Sequence, residues 1–326
     1  MLAGPMRKVL ILGGTGWLGQ EIAQEAVAAG AEVVCLARGV SGAVPAGAVL
    51  VQADRRLPGA YDLLGGDWDE VIELSYDQEL VKAALKALAG RARHWTLVST
   101  VSVYASNDEQ SADESAELVK PINMDDYGPA KVAAEVATAQ WLSDRLLIVR
   151  PGLIVGPGDP SDRFGYWPGR LARGGTVLAP TTAGRSVQVI DVTDLAQFIL
   201  QAGRDELAGT VNAVGDQQPM ESFFTGVGAA TGFSGDIVHA DDQWLGEHKV
   251  NFWAGPRSLP LWLPPSDAGF AQRSNAAFRA AGGALRPLRE TVTRTLQDEI
   301  ARGVDRQRRS GLTLQEESDL LAEHDR

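Results

Sequence analysis

The run Lys8–Leu12 is short, β-branched and aliphatic, and it leads directly into Gly13-Gly14-Thr15-Gly16-Trp17-Leu18-Gly19, with glycines three apart at 13, 16 and 19. That spacing suits a place where the chain turns tightly at positive φ, where backbone must approach a bound group with no Cβ in the way, and where a strand and a helix pack closely. The Ala-rich stretch Glu21–Ala29 follows and closes at Gly30, which predicts a helix. Strand, glycine turn and helix in this order form a cradle for a pyrophosphate on free helix N–H groups. Gly13, Thr15, Gly16, Trp17, Leu18 and Gly19 are therefore the first candidate dinucleotide contacts.

The pattern repeats downstream. Val33–Leu36, Val49–Val51, Val71–Leu74, Trp95–Val98 and Leu146–Val149 are short apolar runs, with helical stretches such as Gln78–Leu88 and Tyr127–Trp141 between them. Alternation of this kind predicts an α/β fold, a Rossmann-type doubly wound parallel sheet. Periodicity is lost across Pro151–Gly158, which sets an expected division: residues 1–155 as the nucleotide-binding domain, with later segments returning to it, and 156–326 as a smaller C-terminal α/β substrate lobe. In that lobe a helix is expected around Tyr166–Arg173, strands near Val177–Leu178 and Val187–Ile190, a helix Val192–Ala202, a strand Thr210–Val214, an irregular Trp244–Pro265, and closing helices Leu288–Ile300 and Leu314–Ala322.

The end of the second strand bears on the choice of dinucleotide. An NAD-binding version places an acid there for the adenosine ribose. This chain has Ala37 and then Arg38, whose planar fork of donors suits a 2′-phosphate. NADP(H) is expected over NAD(H), with a solvent-facing arginine as the plainer reading. The formal charge of −12 makes the arginine a local exception, and it argues against a general nucleic-acid or anionic-membrane binder. Asp54 is a candidate for the adenine amino group or, equally, a turn-forming aspartate.

Tyr127-Gly128-Pro129-Ala130-Lys131 puts a phenol and an ammonium one helical turn apart. A nearby cation favours the phenolate, which brings a poor acid–base group toward neutral pH. Upstream, Ser99-Thr100-Val101-Ser102-Val103-Tyr104 places hydroxyls at the carboxyl end of a predicted parallel strand, where open α/β sheets hold ligands. Thr100 or Ser102 is the candidate to hold a reacting oxygen, with Tyr127 and Lys131 beside it.

Together with Arg150–Asp159 (RPGLIVGPGD) and Val187–Ala196 (VQVIDVTDLA), these motifs resemble the extended short-chain dehydrogenase/reductases, the NAD-dependent epimerase/dehydratase family, over about residues 7–300. The resemblance implies a catalytic Thr100, an acid–base Tyr127 and a ribose-binding Lys131. It also implies cofactor contacts at Ser75 and along the segment from Pro151 to Ile154, and hydride transfer at nicotinamide. Sugar-nucleotide dehydratases of this kind carry Asp-Glu after the threonine; here Val101-Ser102 stand there, so dehydration is not expected. An arginine that such epimerases use for a substrate diphosphate would fall near Val187, and Arg185 is no clean match.

The expectation is an NADP(H)-dependent oxidoreductase acting on a carbonyl or secondary alcohol. A nucleotide-sugar epimerase using the same residues, and a non-catalytic cofactor- or RNA-binding family member, are the alternatives. A small-molecule substrate and a possible homodimer are expected, the latter through a helix like Tyr127–Trp141 by resemblance. Phe164, Tyr166, Trp167, Trp244, Phe252, Trp253 and Trp262 suggest either a ring-binding pocket or simply the core of the small lobe. The lone Cys35 excludes an intrachain disulfide and fits a reducing, cytoplasmic setting, and residues 1–6 show no apolar leader. His94, His239, His248 and His324 lie too far apart in sequence to suggest a metal, Asp241-Asp242 reads as a helix start, and Arg306–Arg309 as a solvated basic helix end.

Overall fold

The computed structural model describes residues 7–324 except Ser143; residues 1–6, read above for a leader, lie outside the described part. The first half alternates strand and helix except at β2–β3–β4, which are joined by loops: β1 (Lys8–Leu12), α1 (Trp17–Ala28), β2 (Glu32–Ala37), β3 (Ala48–Gln52), β4 (Trp68–Glu73), α2 (Gln78–Leu88), β5 (Ala92–Val98), α3 (Tyr127–Leu142) and β6 (Leu146–Pro151). Val9 to Leu12 are all buried, as a central parallel strand with helices on both faces requires.

The second half is made of shorter pieces. It comprises β7 (Leu153–Val155), α4 (Arg163–Ala172), β8 (Val177–Pro180), β9 (Ser186–Val187), β10 (Val189–Asp191), α5 (Val192–Arg204), β11 (Gly209–Ala213), β12 (Gln218–Pro219) and α6 (Met220–Thr231). Then come β13 (Ile237–Ala240), α7 (Asp242–Glu247), β14 (Asn251–Trp253), β15 (Ser258–Pro260), α8 (Ala276–Ala280), α9 (Leu288–Arg302) and α10 (Leu314–His324).

The main sheet has seven parallel strands in the order β11-β6-β5-β4-β1-β2-β3. The winding direction reverses between β1 and β4, which opens a crevice at their carboxyl ends. α5 returns from the second half to pack on α1, and β11 adds the last strand beside β6. The small lobe packs α4, α6 and α9 around Phe164, Tyr166, Trp167, Phe223, Phe224 and Trp262, all buried. Glu317 of α10 seals this core: its carboxylate accepts from the Leu178 N–H and pairs with the buried Arg170. Among the described residues no helix is long and apolar enough to cross a membrane.

Several expected boundaries move, for identifiable reasons. α1 begins at Trp17, not Glu21, because Gly19 sits inside the first turn where only glycine fits. The 151–158 segment is not wholly irregular, since β6 runs to Pro151 and β7 pairs with β10. α4 starts at Arg163 after Asp162 adopts a left-handed conformation (φ 59°). The expected strand 187–190 is broken at Gln188, whose amide donates to the carbonyls of Gly215 and Arg273 at 2.9 and 2.8 Å. Its two halves pair with different strands, β12 and β7. The 244–265 stretch contains part of α7 and the parallel pair β14–β15.

The Arg306–Arg309 patch is not a solvated helix end. Arg306 pairs with Asp162 and Glu299, and Arg308 with Glu299, so these arginines neutralise buried carboxylates.

Candidate active site

All the strand ends that bear candidate residues face one crevice. After β1, Gly13 has φ 102° and its carbonyl accepts from the Gly16 N–H at 3.2 Å, closing the turn. A Cβ on Gly19 would lie 2.5 Å from the Gly13 oxygen and 2.8 Å from the Gly14 Cα. The helix can approach the turn this closely only with glycine at 19. Gly16 is the helix N-cap and supplies no side chain, so the first N–H groups of α1 remain open to an anion. The Trp17 indole donates to the Pro157 carbonyl at 2.8 Å and straps the turn to the loop after β7.

On the β2 and β3 side of the glycine turn a recess of about 250 Å³ is lined by Thr15, Leu36, Ala37, Arg38, Ser41, Asp54, Arg56 and Ser75, among others. Arg38 and Arg56 stand together there, with Arg56 also paired to Asp77. Asp54 accepts from the Arg56 N–H at 3.0 Å, so it forms the turn while lining the recess. Beneath them the buried Arg55 is bound through both terminal nitrogens by Glu73 of β4. Glu73 also accepts from the Ser75 N–H at 2.8 Å, which sets the course of the chain after the strand.

A larger cleft of about 440 Å³ continues from the glycine turn and takes in Thr100, Ser102, Tyr127, Lys131, Pro151 and Ile154. Thr100 caps the 3₁₀ turn Val101–Val103: its Oγ1 accepts from the Ser102 N–H at 3.1 Å and lies 3.3 Å from the Ser102 Oγ. α3 reaches this turn because residue 128 is glycine; a Cβ there would lie 2.5 Å from the Ser102 oxygen. Pro129 is tolerated in the helix's first turn, where its missing N–H has no helical acceptor.

Tyr127 is thus held against the threonine. Burial raises its phenol above the ordinary value, and the hydrogen bond with Thr100 pulls it back down. Its ring meets Tyr76 edge-on at 5.1 Å. Lys131 is only 3% exposed and donates to the Val98 carbonyl at 2.5 Å and the Leu74 carbonyl at 3.4 Å. Burial lowers its ammonium to about 8, against the opposing charges of Glu73 and Glu135. Glu135, one turn further along α3, pairs with Arg150 at 2.7 Å and ties the helix to β6.

The far wall comes from the second half of the chain: Asp159, Ser161, Arg163, Trp253 and Phe270. Burial raises the Asp159 carboxyl, against its hydrogen bonds with Ser161. Burial lowers Arg163, against the charges of Asp159 and Tyr127.

The structure therefore brings Gly13, Gly16, Trp17, Leu18 and Gly19 together with Thr100, Ser102, Tyr127, Lys131, Pro151 and Ile154. Thr15, Arg38, Asp54 and Ser75 line the adjoining recess, which shares Gly13, Gly16 and Leu74 with the cleft.

Of the aromatic set only Trp253 reaches the cleft. Phe164, Tyr166, Trp167 and Trp262 are core, Phe252 packs on Trp262, and Trp244 stacks on His248 at 3.8 Å. Arg185 is engaged by Asp242 and the Leu263 carbonyl, away from the cleft. His94, His239 and His248 accept from or donate to the main chain, and no group of metal-ligating side chains occurs among the described residues. Arg163 and Phe270 are cleft residues with no prior signal in the sequence, and Tyr76, packed against Tyr127, had none either; Glu135, four residues after Lys131 on the same helix face, had one.

A doubly wound parallel sheet with a glycine cradle at its switch point and a Thr–Tyr–Lys group beside it defines a dinucleotide-binding protein of the Rossmann class. The family model described as NAD dependent epimerase/dehydratase family matches residues 68–215, so that stretch of the chain is similar to this family.

It is 28% identical to a dTDP-6-deoxy-L-talose 4-dehydrogenase (NAD(P)(+)) of Kitasatospora kifunensis over 64% of this chain and 73% of that protein. It is 27% identical to a 2′-dehydrokanamycin reductase of Streptomyces kanamyceticus over 86% of this chain and 82% of that protein. The fold is shared with a crystal structure of an epimerase-like protein from Burkholderia cenocepacia, with a TM-score of 0.70 at 22% identity, covering 92% of this chain and all of that one.

Proposed function

We propose that the protein is an NADP(H)-dependent oxidoreductase that interconverts a carbonyl and a secondary alcohol. The observation that carries this is the continuity of one crevice from the glycine cradle to Thr100, Tyr127 and Lys131, which line it together. The cradle fits a dinucleotide pyrophosphate because glycine at 19 lets α1 pack directly against the turn and the first N–H groups of α1 carry no side-chain cap. Gly13, Gly16 and Gly19 would hold the pyrophosphate, Pro151 and Ile154 would border the nicotinamide half, Ser75 would border the adenosine half, and Arg38 would meet a 2′-phosphate. The bound cofactor supplies or accepts the hydride.

In carbonyl reduction Tyr127 gives its phenolic proton to the substrate oxygen while Thr100, seconded by Ser102, holds that oxygen in place. Lys131 fixes a ribose hydroxyl and stabilises the phenolate left behind, so the charge created at Tyr127 is met by a cation already in the fold. Burial holds the phenol above its ordinary value, which suits a proton donor. The relatives named as a dehydrogenase and a reductase favour net oxidation or reduction over epimerisation. Val101-Ser102 gives no acid–base pair for elimination. The same proposal includes a homodimer through α3, whose Val136 and Trp141 are about half exposed.

The test is a panel of aldehydes, ketones and keto-sugars scored by NADPH oxidation, with NADH in parallel. Carbonyl-dependent NADPH consumption that disappears in Tyr127→Phe supports the reading. Sugar turnover with retained cofactor and no net NADPH consumption replaces it with epimerisation.

A further inference from the structure

The substrate wall of the cleft contains a guanidinium with spare bonding capacity. Arg163 opens α4 and lines the same cleft as Tyr127. Only Lys131 and Arg163 bring side-chain cations to this cleft among its described lining, and the Lys131 ammonium is committed to main-chain carbonyls.

Arg163 is placed differently. Its Nε donates to the Ser161 hydroxyl at 3.1 Å, and its guanidinium lies over the Trp253 ring at 5.2 Å. Among the described residues no carboxylate lies within ion-pair distance of it, and its two terminal nitrogens make no hydrogen bond. Asp159, the nearest acid electrostatically, spends its two oxygens on the Ser161 N–H and hydroxyl.

Among the described residues Arg273 also lacks a carboxylate partner, but its outer nitrogen donates to the Ser106 and Asn107 oxygens, and five other arginines of the small lobe contrast more sharply with Arg163. Arg170, Arg185, Arg302, Arg306 and Arg308 each meet a carboxylate there. A half-buried guanidinium held by its Nε and by an aromatic face, with its outer fork unspent, is preorganised for a planar or tetrahedral oxoanion. Trp253 and Phe270 border the same space and supply apolar contact beside the charge.

Resting on the reading of this cleft as the substrate site, we infer that Arg163 is its specificity-determining residue and selects substrates that carry an oxoanion, a carboxylate or a phosphate, near the reacting carbonyl. Arg163 acts by binding and orienting; the proton still moves through Tyr127. Its positive charge beside the phenol also means that a bound anion, by neutralising it, leaves Lys131 as the principal cation facing Tyr127.

The test begins by titrating the full-length protein with NADPH, since failure to bind would overturn the underlying reading and not merely this one. The NADPH-loaded protein is then titrated calorimetrically with benzoate, phenyl phosphate and the neutral benzamide. One of the two anions is expected to bind about tenfold or more tightly than benzamide, and which one does so tells carboxylate from phosphate. Arg163→Gln should abolish that preference with NADPH affinity intact, Arg163→Lys should restore part of it, and Tyr127→Phe should retain it. NADPH binding with no preference for either anion, or a preference that survives Arg163→Gln, overturns the inference.

Discussion

The two walls of the cleft are built on different principles. The wall on the cofactor side is mostly main chain: a glycine turn, helix N–H groups and the ends of parallel strands. Its residues lie in chain order along the sheet, from Gly13 to Ile154. The wall on the substrate side is made of side chains from separated segments, Asp159 to Arg163, Trp253 and Phe270, held by loops and short elements. Backbone recognition constrains a sequence through what must be absent, chiefly Cβ atoms; side-chain recognition constrains it only through what happens to meet in space. Pyrophosphate binding therefore leaves a local signature, whereas substrate choice leaves almost none.

This contrast can be broken or sharpened by experiment. Tyr127 stands where the walls meet, and Tyr127→Phe should lower kcat by about 10²–10⁴-fold, the usual range for a lost acid–base group. NADPH affinity measured by fluorescence should change by less than about twofold if the phenol serves chemistry and not cofactor binding. Arg38→Ala should weaken NADPH by about ten- to a hundredfold, the scale of a lost charge-assisted hydrogen bond, and leave NADH unchanged. Equal weakening of both cofactors would show that Arg38 does not read the 2′-phosphate.

Gly19→Ala tests the main-chain wall directly. The added methyl meets the Gly13 carbonyl and Gly14 backbone, so the turn must open. A stability loss of about 1–3 kcal/mol is expected from such overpacking, with a parallel loss of NADPH affinity. Trp253→Ala is the counterpart on the other wall: KM for an accepted carbonyl should rise several-fold while NADPH affinity holds. If instead it weakens NADPH as Gly19→Ala does, the two walls are not separable.

The smallest effect concerns Lys131. Its folded value of about 8 lies below the ordinary lysine value, so the unfolded chain binds more protons between the two. The burden of burying the charge is fully present below pH 8 and is relieved as pH rises toward the unfolded value. Urea denaturation of the cofactor-free protein should therefore show wild type gaining stability relative to Lys131→Met over that interval. A flat difference would mean the ammonium keeps its proton throughout.

Legibility followed the same division. Hydrophobic runs bounded by turns gave away the parallel sheet, because a central parallel strand is apolar on both faces, but not that β11 from the second half joins it as the seventh strand. The Gly13–Gly19 turn and the Tyr127–Lys131 spacing were visible because each is local. The start of α1 was misplaced since Gly19, a poor helix former by propensity, is retained in the helix for close packing. The break at Gln188 was invisible because its acceptors, the Gly215 and Arg273 carbonyls, lie 27 and 85 residues away. Arg306 and Arg308 looked like surface charge because their partners, Asp162 and Glu299, are brought in only by the tertiary fold. Arg163 and Trp253 share that difficulty, with 90 positions between them and a single cleft to show for it.

Glu73 has a consequence for anyone wishing to alter cofactor preference. One fully buried carboxylate binds Arg55 under the adenosine recess, fixes the Ser75 N–H, and contributes to holding the Lys131 ammonium charged. Redesign of the adenosine end is safe at the rim, at Arg38 and Arg56, and hazardous one layer down. Replacing Arg55 would strand the Glu73 charge between the recess and the cleft, so under the proposed function a substitution aimed at the adenine would be read out beside Lys131 and Tyr127.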